Sequence, residues 1–296
     1  MKILLVLNPI SGGINKAEFL LEAKKLCKFY GYELQLFRTT GNDDLEKLKT
    51  AINSYAGVRI AAAGGDGTVL LVAKAILNSD KELGIVPMGS ANGMAAELGV
   101  KKKPLEAFKD VLLSWIVKPL DLVQVNNKHL AIHIGDVGTN AEVVKKYDQD
   151  KSRGMLTYIK HYVNQLKEVE PFEIVVKHGE NEIKEHGIML AICNARKYGT
   201  GIPLNKISNP FDGKLELVII HEINFSSILK LGLSALVEDY QNYQESTVLS
   251  GDEFTVSFKN PKVLQLDGEV IDEFRELQIK LIPSAVNLVL TGANPY

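Results

Sequence analysis

Apolar residues in the first part of the chain switch repeatedly between two patterns. Lys2 to Leu7 is a short, nearly continuous apolar run, as in a strand buried on both faces. The turn Asn8-Pro9-Ile10-Ser11-Gly12-Gly13 follows. A helical stripe then runs through Leu20, Ala23, Cys27 and Tyr30 and closes at Gly31. Tyr32 to Phe37 reads as a second strand. Asp43 or Asp44 is placed to cap a helix whose stripe is Leu45, Leu48, Ile52 and Tyr55. Val58 to Ala63 is a third strand that runs straight into Gly64-Gly65-Asp66-Gly67, and Thr68 to Leu77 is helical. Leu83 to Pro87 is a fourth strand, and a further glycine-bearing turn leads into a helix over Asn92 to Leu98. Pro104 suits the first position of a helix carrying Leu105, Phe108, Leu112 and Trp115.

After Pro119 the pattern changes to strands. Leu122–Val125, Leu130–Ile134, Phe172–Val176, Ile188–Cys193, Leu215–Ile220, Phe254–Phe258, Val263–Leu266 and Leu277–Leu281 all read as strands, several with strict alternation. Helical segments are expected near Leu156–Lys167 and Ser226–Tyr240. The expected fold is α/β plus all-β. Residues 1–120, joined by the tail 284–296 through a last segment at Asn287 to Leu290, form a doubly wound, mostly parallel, three-layer α/β domain. Residues 121–283 form an antiparallel β-sandwich. In such parallel sheets ligands bind beyond the carboxyl ends of the strands. The glycine-bearing turns all follow strands, so they are expected to gather at one edge.

Composition narrows the class without changing this picture. The chain has 296 residues, 46% hydrophobic and 24% charged, ample for a core and unlike a disordered chain. Its formal net charge of -2 gives no global basic field, so no nucleic-acid partner is expected. The basic run Lys101–Lys103, with Lys109, reads as a solvated loop. Met1 to Ile10 is too short for a secretory signal, and the apolar stretch around Phe225 to Val237 falls short of a spanning helix. The expectation is a soluble, cytoplasmic protein whose membrane contact, if any, is peripheral. Cys27 and Cys193 lack metal-ligand spacing and read as buried free thiols. His129 and His133 are expected to share a strand face as ordinary packing, and Tyr198–Gly201 reads as a loop of open role.

The chemistry lies in the turns. In Gly64-Gly65-Asp66-Gly67-Thr68 a strand ends, the glycines expose backbone N–H groups, and a helix N-terminus begins, which together make a phosphate cradle. Asp66 inside such a cradle needs a cation, a hydroxyl or a lysine beside it; a tight turn with an acidic cap is the plainer account. Asn8 to Gly13, Thr39-Thr40-Gly41 and Pro87-Met88-Gly89-Ser90-Ala91-Asn92-Gly93 are further turns after strands. Simple capping explains Ser90 and Asn92 about as well as ligand contact. The joint occurrence is the signal, because a plain structural sheet needs no such set at one edge. No G-x-x-x-x-G-K-[ST] loop and no dinucleotide fingerprint is present. Asp212-Gly213 and Asp267-Gly268-Glu269 bring acids to two further turns, which also read as ordinary hairpins.

The set resembles the diacylglycerol kinase catalytic family, which includes bacterial lipid kinases and the sphingosine and ceramide kinases. The shared pieces are N-P-x-S-G-G at Asn8 to Gly13, T-T-G at Thr39 to Gly41, G-G-D-G-T at Gly64 to Thr68 and P-x-G-S-A-N at Pro87 to Asn92. D-V-G-T-N-A-E-V-V at Asp136 to Val144, D-G-K-L at Asp212 to Leu215 and L-D-G-E at Leu266 to Glu269 complete it. The order and spacing fit nearly the whole chain, although NAD kinases share the G-G-D-G-T piece. The resemblance implies a nucleotide cleft between the two domains, with an ATP site lined by Asn8, Pro9, Ser11, Gly12, Gly13, Thr40, Gly64, Gly65, Asp66, Gly67, Thr68, Ser90 and Asn92. It implies a magnesium ion held by Asp212 with backbone carbonyls near Asn209 and Lys214. It implies Glu269 as general base beside Asp267, with Asp66 as the second choice.

The implied activity is phosphoryl transfer from ATP to a lipid hydroxyl, foremost diacylglycerol to phosphatidic acid in phospholipid metabolism. The enzyme would visit the inner face of the membrane, and a homodimer is compatible with the family. Ile228, Leu229, Leu231 and Leu233 could supply part of an apolar patch for the lipid, or else fill the sandwich core. Gly93 departs from the aspartate that many bacterial members carry there, and Ser90 matches the sphingosine kinase branch. Sphingoid bases, ceramide and undecaprenol are the alternative lipids. A soluble-cofactor kinase of the NAD kinase type and a silent nucleotide-binding regulator are the alternative classes.

Overall fold

The computed structural model describes residues 1–138, 170–197, 204–223 and 244–296. The helices expected near Leu156–Lys167 and Ser226–Tyr240, the Tyr198–Gly201 loop, the apolar Ile228–Leu233 and the end of the Asp136–Val144 segment lie outside the described residues. The chain forms two compact units. The first comprises Met1–Leu122, Pro210–Gly213 and Ile282–Tyr296, and the second Val123–Asn209 and Lys214–Leu281.

The first unit alternates β1 (Lys2–Leu7), α1 (Lys16–Phe29), β2 (Glu33–Arg38), α2 (Asp44–Asn53), β3 (Arg59–Gly64), α3 (Asp66–Ala75), β4 (Glu82–Pro87), α4 (Gly93–Glu97) and α5 (Pro104–Leu113). The strands pair in parallel in the order β4-β3-β1-β2. From β1 the chain moves to one edge at β2, then returns across β1 to β3, so the winding reverses between β1 and β3. Their carboxyl ends flank that switch point, where ligands bind in open α/β sheets. On one face, Ile3, Leu5, Leu7, Ala61, Ala63, Val86 and Met88 pack with Phe19, Leu20, Ala23 and Cys27 of α1 and Phe108, Val111 and Leu112 of α5. Helices α2 and α3 pack together, with α3 against β1, β3 and β4.

Three details of this unit differ from expectation. Helix α5 stops at Leu113, where the Ser114 N–H closes on Asp110 and Ser114 turns extended. Arg59 Nη1 binds the carbonyl oxygens of Val111 and Ser114, each at 2.8 Å, and Trp115 lies 87% exposed instead of continuing the apolar stripe. Asp43 precedes α2 without a side-chain capping bond. Pro210–Gly213 packs with the first unit, because Asp121 donates its N–H to the Pro210 carbonyl and its carboxylate accepts the Gly213 N–H.

In the second unit the described strands pair in antiparallel fashion, as a sandwich requires. They include β6 (His129–Ala131), β7 (Ile134–Val137), β8 (Phe172–His178), β9 (Asn181–Gly187), β10 (Met189–Cys193), β11 (Leu215–Ile223), β12 (Gln244–Gly251) and β13 (Glu253–Leu266). β5 (Ile116–Val125) enters this unit from the first, and β14 (Glu269–Leu290) leaves it, its Asn287 and Leu288 pairing in parallel with β4. One core unites Val123, Ile174, Val176, Leu190, Ile192, Leu217, Phe254, Val256, Leu264 and Leu277. The strand expected over Leu130–Ile134 is broken into β6 and β7, which also separates His129 from His133. Both cysteines are buried free thiols, and burial pushes Cys27 up to about 11 and Cys193 upward as well. Among the described residues no helix is long and apolar enough to cross a membrane.

Phe108 is fully buried where α5 meets the sheet, its ring edge-on to Phe19 at 6.0 Å. Phe108→Ala is expected to destabilise the first unit by about 3–5 kcal/mol, read as a lower urea midpoint. A change below 1 kcal/mol would contradict this packing.

Candidate active site

At the switch point the first unit brings three of its turns into direct contact. The Asn8 side chain reaches from the end of β1 and donates from Nδ2 to Thr68 Oγ1 at 3.3 Å. Its Oδ1 accepts the Ile10 N–H at 3.1 Å, and Ser11 Oγ donates to the Asn8 carbonyl at 3.0 Å, so the turn holds its own shape. Gly12 adopts φ +54, and a Cβ there would overlap the carbonyl oxygen of Met88. A Cβ on Gly89 would come 2.5 Å from Gly65 Cα. The turns after β1, β3 and β4 therefore touch through backbone, at positions where side chains do not fit. Pro9, Gly13, Gly67 and Ser90 are exposed around this junction.

Asp66 is the first residue of α3, directly after Gly65, and its carboxylate has a specific task. Oδ2 accepts the Gly93 N–H at 2.7 Å and Oδ1 the Met94 N–H at 3.0 Å. It caps α4, whose own flanking residue Asn92 is left-handed and instead exchanges two 2.8 Å bonds with the backbone of Gly89. The aspartate of the glycine turn thus locks the Pro87–Asn92 turn in place. Gly93 itself is buried beneath this contact.

Thr40 stands after β2 at the same end of the sheet, but its bonds go to Asp44. That carboxylate accepts the Thr40 N–H at 2.9 Å and 3.0 Å, the Gly41 N–H at 2.8 Å and the Thr40 hydroxyl at 3.0 Å. Burial raises the Asp44 pKa, yet these bonds and Lys47 outweigh it and hold the carboxyl below its ordinary value. Asp44 therefore shapes the turn before α2.

The turn at Asp212 is anchored by Asp121, a buried acid in β5. Asp121 Oδ2 accepts the Gly213 N–H at 2.8 Å and Oδ1 accepts the Ser284 N–H at 2.7 Å. Burial is the largest influence and raises its pKa; the two N–H groups oppose this, and the charge of Asp212 adds to it. Asp212 itself is exposed, with Asn209 and Lys214 flanking the segment in the chain. Among the described residues no group of three or more His, Cys, Asp or Glu side chains could hold a metal. A cation here would rest on the Asp212 carboxylate, backbone oxygens and water. That all-oxygen donor set fits magnesium, which keeps several waters and uses one or two carboxylates.

In the second unit Asp267 adopts φ 50, and its carboxylate accepts three backbone N–H groups, from Ile132 at 2.8 Å, His133 at 2.9 Å and Ile134 at 3.2 Å. This is why the strand breaks there. Glu269, two residues on, is exposed at the start of β14.

Sequence reasoning missed Lys16 and Asp121, and read Asp44 as a possible helix cap without its hold on Thr40 and Gly41. Lys16 Nζ folds back onto the carbonyl oxygens of Ser11 and Ile14, and burial lowers its pKa. Its signal was a lysine just beyond a glycine turn. That of Asp121 was an acid inside an apolar strand.

The family model described as the diacylglycerol kinase catalytic domain matches residues 2–125. That described as the YegS C-terminal NAD kinase beta sandwich-like domain matches residues 134–290. The chain belongs to the diacylglycerol kinase-like family. It is 25% identical over 275 residues to a diacylglycerol kinase of Bacillus subtilis (strain 168), covering 90% of this chain and 88% of that one. It is 28% identical over 276 residues to a YegS-like protein of Alcanivorax borkumensis named as a probable lipid kinase, covering 90% and 89%. A crystal structure of a diacylglycerol kinase from Bacillus anthracis str. Sterne superposes with a TM-score of 0.77 at 18% identity, covering 99% and 98%, which supports the fold alone. Membership of a kinase family implies ATP as the co-substrate, and the α/β domain followed by a β-sandwich domain is as the sequence led one to expect.

Asp66→Ala is expected to remove the cap of α4 at about 1–2 kcal/mol and to speed amide exchange at Gly93 and Met94. Unchanged exchange at those amides would contradict the capping role.

Proposed function

We propose that this chain is an ATP-dependent lipid kinase that transfers the γ-phosphate to a lipid hydroxyl, with diacylglycerol the leading substrate and phosphatidic acid the product. The observation that carries the reading is the meeting of three glycine turns at the switch point of the first unit. Transfer of a phosphoryl group needs positioning and charge neutralisation more than covalent help. The turns Asn8–Gly13, Gly64–Thr68 and Pro87–Asn92 offer backbone N–H groups and the N-terminus of α3 to the nucleotide phosphates. Ser90 offers an exposed hydroxyl, Thr40 lines the same end of the sheet with its hydroxyl given to Asp44, and the Lys16 ammonium sits on the first turn. Bound by Asp212 with backbone oxygens near Asn209 and Lys214, a magnesium ion would supply charge neutralisation for the transferring group.

Of the three acids expected in catalysis, Glu269 is the proposed general base, accepting the hydroxyl proton at its carboxylate. Asp66 and Asp267 are read instead as positioning residues, because their oxygens already accept two and three backbone N–H groups. Peripheral contact with a membrane from the cytoplasm follows from the lipid substrate.

The test offers labelled ATP and magnesium with mixed micelles of diacylglycerol, sphingosine, ceramide or undecaprenol, and NAD as a soluble control. Transfer to diacylglycerol is expected, reduced about 10²–10⁴-fold in a folded Glu269→Ala protein. Label on sphingosine, ceramide or undecaprenol would rename the substrate within the same chemistry. Label on NAD alone, or no transfer at all, would overturn the reading.

A further inference from the structure

Two parts of the first unit that the proposed reaction uses are joined by a residue it does not use. Helix α4 follows the Pro87–Asn92 turn and is capped at its start by Asp66. At its other end Glu97, only 5% exposed, accepts the phenol of Tyr296 at Oε1. The tail that carries Tyr296 is fitted closely there. Asn294 Nδ2 donates to the Leu98 carbonyl at 3.4 Å, and a Cβ on Gly99 would come 2.6 Å from the Ala293 carbonyl oxygen.

The Tyr296 ring also meets Phe211, with centroids 5.8 Å apart in an edge-to-face arrangement. Lys118 joins the pair, donating to the Tyr296 main-chain oxygen at 2.8 Å with its ammonium 5.7 Å from the Phe211 ring centroid. Phe211 is the neighbour of Asp212. Asp121 grips this short loop at Pro210 and Gly213, and the Tyr296 ring holds its middle. A continuous run of contacts thus leads from Asp66 through α4, Glu97, Tyr296 and Phe211 to Asp212.

We propose that Tyr296 is a positioning residue that ties the helix beyond the Pro87–Asn92 turn to the loop presenting Asp212, and so sets how tightly that loop binds a divalent cation. The inference rests on reading Asp212 as the metal carboxylate. The Tyr296 ring restricts Phe211, and the phenol fixes the ring on Glu97. A carboxylate on a restrained loop binds a cation without first losing the loop's freedom.

The experiment titrates magnesium into the intact protein by calorimetry, and separately measures the magnesium dependence of lipid phosphorylation, for the parent chain and for Tyr296→Ala, Tyr296→Phe and Asp212→Ala. Tyr296→Ala, which loses ring and phenol, is expected to weaken magnesium binding about tenfold, and Tyr296→Phe about threefold, as for one hydrogen bond. Excess magnesium should restore kcat in both, with the KM for ATP unchanged at saturating metal. Were Tyr296→Ala not to fold, Tyr296→Phe alone would carry the comparison. Unchanged magnesium affinity in a folded Tyr296 variant, alongside lost binding in Asp212→Ala, would overturn the positioning role and spare the metal site. Full magnesium binding by Asp212→Ala would overturn the metal reading itself, and the proposal with it. A kcat defect that excess magnesium does not repair would also overturn it.

Discussion

The candidate site depends on backbone passing backbone where no side chain fits. Gly89 lies so close to Gly65 that a Cβ would stand 2.5 Å from the neighbouring Cα, and Gly12 presses on the Met88 carbonyl. Each contact joins turns from different strands, so the glycines are required by the meeting of the turns and not by any one turn alone. Parallel pairing of β1, β3 and β4 brings their carboxyl ends side by side, and the small residues let the loops merge. Merged loops of this kind are what the proposed phosphate site requires, because backbone N–H groups after separate strands then lie at one end of the sheet.

A second device recurs in both units: aspartate used to hold backbone. Asp66 accepts two N–H groups of α4, Asp44 those of Thr40 and Gly41, Asp121 those of Gly213 and Ser284, and Asp267 three in a row. Bonds to an ionised acceptor are among the strongest hydrogen bonds available to a turn. Acids that look catalytic from their motifs can therefore be scaffolding for their neighbours. The G-G-D-G aspartate fixes the serine-asparagine turn, the L-D-G-E aspartate fixes residues 132–134, and Glu269 is the acid of these motifs that stays exposed at its turn.

Much of this was legible in the chain because its signals are local. Continuous apolar runs gave β1, β3 and β4, and glycine after each strand marked the turns that meet. The failures have physical causes of two kinds. Edge strands such as Asn181–Gly187, paired on one side by β8, face water and lack the apolar alternation that reveals a strand. Trp115 follows the helical period of α5, but the helix ends two residues earlier, where Arg59 takes its carbonyls. The other kind is distance in sequence. No local pattern links Asp66 to Gly93, Asp121 to Ser284, or Tyr296 to Glu97, so the bonds that organise the site became visible only with the fold.

The most direct measurement is nucleotide affinity in Gly89→Ala, followed by calorimetry with ATP and magnesium, with the melting temperature recorded alongside. If the three turns form one phosphate site, the added methyl must push the Gly65 and Gly89 turns apart, an overpacking worth about 1–3 kcal/mol. ATP affinity should fall about tenfold or more while the protein stays folded. Parent-like affinity in a folded Gly89→Ala protein would contradict the account, because the nucleotide would then be held without the contact that joins the turns.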